Sequence, residues 1–410
     1  MASLCDQCGS EVGFFGGKKV KLADGREQRV CKKCSRLAAQ PAPAPESDDR
    51  IVSALEVVLE PDPTPPAPDP AIAAQLEALR SDPGRVDALL ALRAIYVERN
   101  QVDEAWCVCR ALAFLRAADA DAAQLFERHR RGSVRVRARM TDASWRRMTH
   151  PAQDRFITAV LFATDPAATH ARKHEHFGFR PKDRLDPAES TLLIAKTLGY
   201  VGQALSVDMP EVYVSPAQPE PFQLANCQAG GRVAPAFVLG AGLLSGRSAP
   251  ELMFWGAYHL SFLRAGHYAA LALPTPAQLR AALYAAITMV RPDVPAPPDV
   301  DPQALATLLA PLQRRISRQV RKTLEPVVTE LLRATHEPDV AAWRRAVTAT
   351  ADRAGFVLCD DLDVAAAQVA AMPVAQGDAP ASQRIAELVW FSVSEDYFSV
   401  RRELGLGLDV

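Results

Sequence analysis

The chain has 410 residues, 49% hydrophobic and 23% charged, with a formal net charge of -1. That profile fits a globular protein with room for two or three domains, and its neutral balance excludes a general electrostatic pull toward nucleic acid or anionic membrane. The most apolar stretch, 233–274, is interrupted by Arg247, Glu251, His259 and Arg264, which argues against a membrane span. Residues 1–10 are polar and hold two cysteines, so no secretory signal is expected and a cytoplasmic location is.

Of the eight cysteines, four fall into two Cys-x-x-Cys pairs, Cys5/Cys8 and Cys31/Cys34. Each pair can present two thiolates from one tight turn, and two such turns complete a tetrahedral zinc site. Four thiolates leave no open position, so this zinc is expected to be structural. Asp24-Gly25 signals a hairpin between the pairs, and 32–39 is helix-compatible. A segment this small cannot hold a core without metal, so folding and zinc binding should be coupled. The run Cys-Asp-Gln-Cys-Gly, Gly-Phe-Phe-Gly, Lys-Leu-Ala-Asp-Gly, Cys-Lys-Lys-Cys resembles small bacterial zinc-ribbon domains, which implies a ribbon or treble-clef fold and no particular activity. Its lysines make the module basic, a feature more often a solvated face than a nucleic-acid contact. Cys107, Cys109, Cys227 and Cys359 sit singly in apolar or helical surroundings, where thiols act as small buried hydrophobes.

Residues 40–70 are dense in proline and read as an extended linker. Inside it, Ile-Val-Ser-Ala-Leu-Glu-Val-Val-Leu-Glu at 51–60 is an apolar island, expected as a short helix docking on the body or on a partner. From residue 70 the periodicity predicts consecutive amphipathic helices over 86–98, 102–117 and 120–129. Leu90, Leu92, Tyr96, Ala105 and Leu112, with Asp103-Glu104-Ala105-Trp106, resemble a tetratricopeptide unit. One or two units are too few for a free-standing solenoid, so the segment is expected to pack on the domain C-terminal to it.

Further on the pattern predicts a helix over 187–205, a strand at 210–214, a Gly-bounded strand at 235–240, a Gly-Leu-Leu turn, and a helix from 249 to 264. This order resembles the core of the HtpX-type zinc metallopeptidases. That resemblance implies two histidines at i and i+4 on the last helix, with a glutamate beside the first as general base. Here the corresponding positions are Tyr258, His259 and Phe262, and no His-Glu-x-x-His occurs in the sequence. The family's third ligand comes from Glu-x-x-Ala-Asp; Ala351-Asp352 matches its second half, but Thr348 replaces the glutamate. Hydrolysis by that mechanism cannot run on these residues. Tyr258 and Phe262 are instead expected to fill the cleft with packed rings.

Other constellations are weaker. His170, His174 and His176 form the one histidine cluster, with His170 and His174 expected on a shared helical face; a second metal there is the minor reading, and helix-end complementation the ordinary one. Arg314, Arg315, Arg318, Arg321 and Lys322 form a basic face on one long helix after Asp301-Pro302, without the aromatic interleaving of a nucleic-acid groove. Asp360-Asp361-Leu362-Asp363 lacks calcium-loop spacing and is expected to cap the next helix.

The expected fold is mainly α with a small β component. Its parts are a zinc ribbon or treble clef at 1–39, a linker at 40–70, a tetratricopeptide-like segment at 71–144 and a metallopeptidase-like α+β domain at 145–410. The expected function is that of a non-catalytic scaffold or interaction protein, with one structural zinc held by Cys5, Cys8, Cys31 and Cys34, a protein partner and no membrane span. The alternatives are an enzyme using a remodelled cleft near His259 and a nucleic-acid-linked regulator acting through the basic module. An enzyme predicts an open polar pocket at His259, whereas a scaffold predicts a cleft filled by Tyr258 and Phe262.

Overall fold

The computed structural model describes residues 48–59, 69–132, 135–187, 189–229, 232–335 and 337–408, and the backbone of four short strands nearer the start of the chain. Over these residues the protein is mainly helical with a small mixed sheet. Strand β1 (Ser3–Leu4) pairs antiparallel with β2 (Glu11–Val12), and β3 (Gly17–Lys21) with β4 (Glu27–Cys31), so that Gly17 lies opposite Cys31 and the two longer strands flank Asp24-Gly25. The helix expected at 32–39 lies outside the described residues.

The apolar island inside the proline-rich stretch forms α1 (Asp48–Leu59). Next come α2 (Pro70–Ser81), α3 (Val86–Glu98), α4 (Val102–Phe114) and α5 (Ala120–His129). Their starts follow capping rules: Asp69 accepts from the Ala71 N–H with Pro70 at the first helical position, and Asp119 accepts from Ala122 N–H. Helix α4 stops at Phe114, short of the expected 117, because Arg116 takes a left-handed φ of 56° that an α-helix cannot continue through.

Helices α6 (Asp142–Met148) and α7 (Arg155–Thr164) lead to β5 (Arg184–Leu185) and α8 (Leu193–Leu205). The expected helix over 187–205 therefore begins six residues late, its first part taken up by the bend after β5. Strands β6 (Glu211–Val214), β7 (Phe222–Ala225), the small hairpin β8 (Gln228–Ala229) and β9 (Arg232–Val233), and β10 (Ala236–Leu239) come next. The four-stranded sheet runs β5-β6-β10-β7, with β10 parallel to β6 and antiparallel to β7. All four residues of β10 are buried, as a strand covered on both faces requires.

Helix α9 (Ala249–Ser261) opens on a capping box between Ser248 and Glu251. It ends three residues before the expected 264, since the chain tightens into turns on the way to Gly266, whose φ is 80°. The remaining helices are α10 (Tyr268–Ala272), α11 (Pro276–Val290), α12 (Pro302–Arg315), α13 (Arg318–Ala334), α14 (Val340–Cys359), α15 (Leu362–Ala371), α16 (Ala381–Phe391) and α17 (Glu395–Glu403). The single long helix expected after Asp301 is two, because Ser317 caps a new start by accepting from Val320 N–H.

Two hydrophobic cores share α14. Its first half (Val340, Trp343, Val347, Ala351) belongs with α7, α11, α12 and α13. Its second half (Ala354, Phe356, Val357, Leu358) belongs with α2–α6, α8, α9 and α15–α17. Helix α9 lies between α8 and α14. A side chain at Gly256 would come within 3.2 Å of Leu198, and one at Gly355 within 2.7 Å of the Phe254 ring, so these glycines set how closely the helices approach.

Candidate functional site

Cys31 closes β4; Cys5, Cys8 and Cys34 lie outside the described residues, as does the Cys31 side chain. Among the described residues, no group of three or more His, Cys, Asp or Glu side chains is arranged to hold a metal.

The positions singled out on α9 and α14 do come together. The Tyr258 ring meets Phe262 edge to face at 5.3 Å, with Phe254 stacked on its other side at 6.2 Å, and Phe262 is buried. Over the Tyr258 ring, 5.8 Å from its centre, lies the guanidinium of Arg384 from α16. That guanidinium forks onto Asp352 of α14, with Nε to Oδ2 at 2.8 Å and Nη2 to Oδ1 at 2.6 Å. Arg384 is 4% and Asp352 1% exposed, so the pair is desolvated as well as bidentate. Burial pushes the Asp352 carboxyl above the usual range, against the pull of Arg384. One turn earlier, Thr348 Oγ1 donates to Asp378 Oδ1 at 3.3 Å, and Arg344 approaches Asp378 at 3.6 Å while donating to the carbonyls of Pro274 and Gln376. The charge at this place is thus supplied by two guanidiniums facing two carboxylates, with aromatic rings above them.

His259 meets the Tyr258 ring edge to face at 5.0 Å, and its own polar contact is to the helix backbone. Its ring is stacked between Phe222 at 4.0 Å and Trp255 at 5.4 Å, both within 9° of parallel. Its Nδ1 lies 2.9 Å from the Trp255 carbonyl oxygen; a carbonyl only accepts, so Nδ1 carries the proton. Burial drives its pKa down to about 4, which keeps the ring neutral at pH 7 and makes it a weak base. His267, at the start of α10, is buried too, driven down to about 3 by burial first and Arg264 second, and its Nε2 is 2.7 Å from Gln153 Nε2.

The histidine cluster is not assembled on one face. His170 comes directly after a 3-10 turn at Pro166–Thr169, and His174 opens another at His174–Phe177, with Arg172 between them bridged to Cys227. His174 Nε2 stands 2.9 Å from Glu211 Oε2, close enough to pair but without hydrogen-bond alignment. Glu211 also accepts from the Tyr213 hydroxyl and pairs with Arg184 at 3.1 Å. Beside this group is a cavity of about 460 Å³ floored by Phe177, Phe179, Tyr213 and Val238, with Gln223 and Arg180 also on its lining. It faces the side of the sheet opposite His259, since Tyr213 and Val238 pack with Phe177 and Phe179, whereas Phe222 and Phe237 pack with α9.

The basic face is divided by the break between α12 and α13, and two of its arginines are engaged. Arg315 donates to the carbonyls of Thr164 and Asp165 at the end of α7, and Arg321 to those of Gln313 and Ile316 at the end of α12. Both serve as caps for helix carboxyl ends. Asp361 accepts from Val364 N–H and caps α15 as expected. Cys107, Cys109, Cys227 and Cys359 are free and buried.

A second buried network is one that no sequence motif marks. Arg401 of α17 binds Asp103 through Nε and Nη2, and Asp360 through Nη1; Arg110 of α4 also binds Asp360, and Tyr397 sits between. All five side chains are buried. One weaker signal is present: Arg110 interrupts the apolar run Val108-Cys109-Arg110-Ala111-Leu112 on a face that must be inside.

Comparison with protein-family models, with curated proteins and with solved structures finds no match to this chain.

Proposed function

We propose that this protein is a non-catalytic scaffold or interaction protein, with a zinc module at 1–39 and a body on a metallopeptidase-like plan that has lost its chemistry. The observation that carries the reading is the packing of α9 against α14, which brings Tyr258, Phe262, Thr348 and Asp352 into one neighbourhood. A peptidase of this plan needs those two helices crossed so that a third ligand reaches the first two. In this reading the packing of the two helices is what remains of that plan, and rings and the Asp352–Arg384 pair stand where a metal would have been. The order of elements supports the reading, with three strands inserted: α8, β6, then β7 to β9, β10, a 3-10 turn at Ala241–Leu243, and α9.

In this reading Cys5, Cys8, Cys31 and Cys34 hold one structural zinc, the protein works in the cytoplasm, and its partner is another protein. The neutral, clamped His259 counts against an enzyme built on the old cleft. The use of Arg315 and Arg321 as helix caps counts against a nucleic-acid surface on α12 and α13. The test has two arms. Metal analysis of purified protein should give one zinc per chain, lost in the Cys31→Ser, Cys34→Ser double variant. Chelator-sensitive hydrolysis of casein that disappears in His259→Ala would refute the non-catalytic body.

A further inference from the structure

Helix α1 lies against α13 and α7, its principal neighbours. Ile51, Val52, Leu55, Val58 and Leu59 form its inward stripe, with Leu55 fully buried, while Val57 on the opposite face is 56% exposed. Twelve residues are too few for a helix to be stable alone in water, so its helicity depends on docking. Prolines stand on both sides in the sequence, at 41, 43 and 45 and at 61, 63, 65, 66 and 68, which bounds any helix here to a few turns. The helices it lies on are apolar on their inner sides: Ile157 and Val160 of α7 and Leu324, Val328 and Leu331 of α13 belong to the same hydrophobic core as Leu55. The resident is acidic: residues 48–60 carry four carboxylates (Asp48, Asp49, Glu56, Glu60) against one arginine, whereas the first turns of α13 hold Arg318 and Lys322 besides the capping Arg321.

A short, proline-bounded amphipathic helix in a matching groove is the arrangement by which proteins recognise helical segments of other chains. We propose that the groove between α7 and α13 is a helix-receiving site, that α1 is its exchangeable resident, and that its external ligand is an acidic amphipathic helix of another protein. That ligand carries the resident's pattern: carboxylates in the first turn, then branched apolar residues spaced as Ile51, Val52, Leu55, Val58 and Leu59 are. The resident has the advantage of its tether, which holds it at an effective concentration of the order of millimolar. A competitor enters when its affinity exceeds that advantage or when α1 is drawn away. The proposal does not depend on whether residues 1–39 bind zinc.

The experiment uses the full chain with a site-specific protease sequence inserted within 60–68. The probe is a fluorescein-labelled synthetic peptide of residues 48–60, monitored by anisotropy before and after cleavage. Cleavage removes the tether advantage without removing a residue, so the apparent affinity for the peptide should rise at least about tenfold. A peptide with Asp48→Lys and Asp49→Lys should bind several-fold more weakly, and raised salt should narrow the difference. Leu55→Asp in the uncut chain is the second route, since it opens the groove without cleavage and should admit the wild-type peptide. If neither cut nor Leu55→Asp protein binds the peptide, while circular dichroism shows the body folded, the site is a static part of the core and the proposal fails. Equal binding of the charge-reversed peptide overturns the acidic ligand. Concentration-dependent dimers that the peptide dissolves would give the groove to α1 of a second copy and overturn the external partner.

Discussion

Replacing Arg384 by methionine tests the charge layer under Tyr258 most directly. The substitution keeps much of the side chain's volume and removes the fork from Asp352, a residue 1% exposed, leaving Arg344 engaged with Asp378 and backbone carbonyls. Breaking a buried ion pair by deleting one partner costs about 3–5 kcal/mol, because the surviving charge is neither solvated nor paired. The Asp352 carboxyl already titrates high through burial, and without Arg384 it must titrate higher still. A carboxyl whose folded pKa exceeds its unfolded value holds its proton more tightly when folded. Stability of Arg384→Met therefore falls as pH rises through that window, and the deficit should be smaller at pH 5 than at pH 7. Urea titration monitored by tryptophan fluorescence measures both, with Trp255 on α9 and Trp343 on α14 near the site. Joint replacement, Asp352→Leu with Arg384→Met, should recover most of the loss, since an apolar pair of similar volume needs no partner. A single variant that loses less than about 1 kcal/mol, the scale of an exposed pair, would refute the reasoning. So would a double variant as unstable as either single one.

Three further outcomes are expected. Gly355→Ala should cost about 1–3 kcal/mol in the same titration, since its Cβ would come within 2.7 Å of the Phe254 ring and force α9 and α14 apart. The wild-type protein should lose stability on acidification, because His259 and His267, driven from 6.5 to about 4 and about 3, bind protons less readily folded than unfolded. Their contribution is complete above pH 6.5 and falls by about 2 kcal/mol per ring by about pH 5; His267→Gln, which keeps an acceptor for Gln153, should flatten that slope in melting temperature against pH. Deleting residues 1–40 should leave the body's melting temperature almost unchanged while removing at least one partner recovered from cells, and a body that cannot fold without them would disprove the adaptor reading.

Helices announced themselves where amphipathic period and end signals agreed. Periodicity predicted α3 and α5 at 86–98 and 120–129, their observed bounds. Ends failed where a single backbone conformation decided them. The left-handed Arg116 cut α4 short, and Ser317 split one expected helix into α12 and α13. Tyr258 and Phe262 were legible as partners because i and i+4 share a helix face. Arg384 was not, since nothing local marks a residue 32 positions from Asp352 as its counter-ion. The histidine cluster misled for the opposite reason: nearness in sequence suggested a helix, but Arg172 bridges to Cys227 and breaks the run into two turns.

The network of Asp103, Arg110, Asp360, Tyr397 and Arg401 joins residues up to 298 positions apart. The core that α2–α5 bury into is likewise completed by Leu388, Phe391, Phe398, Leu404 and Leu406. During synthesis the apolar faces of residues 70–129 are therefore made hundreds of residues before the side chains that cover them. Closing such distant contacts is slow, and it leaves hydrophobic surface open in the meantime. A ribosome halted anywhere before residue 388 would display a helical segment with its lid still unmade. Such a nascent chain keeps that apolar surface uncovered, and open to misassociation, until residues 388–406 have emerged.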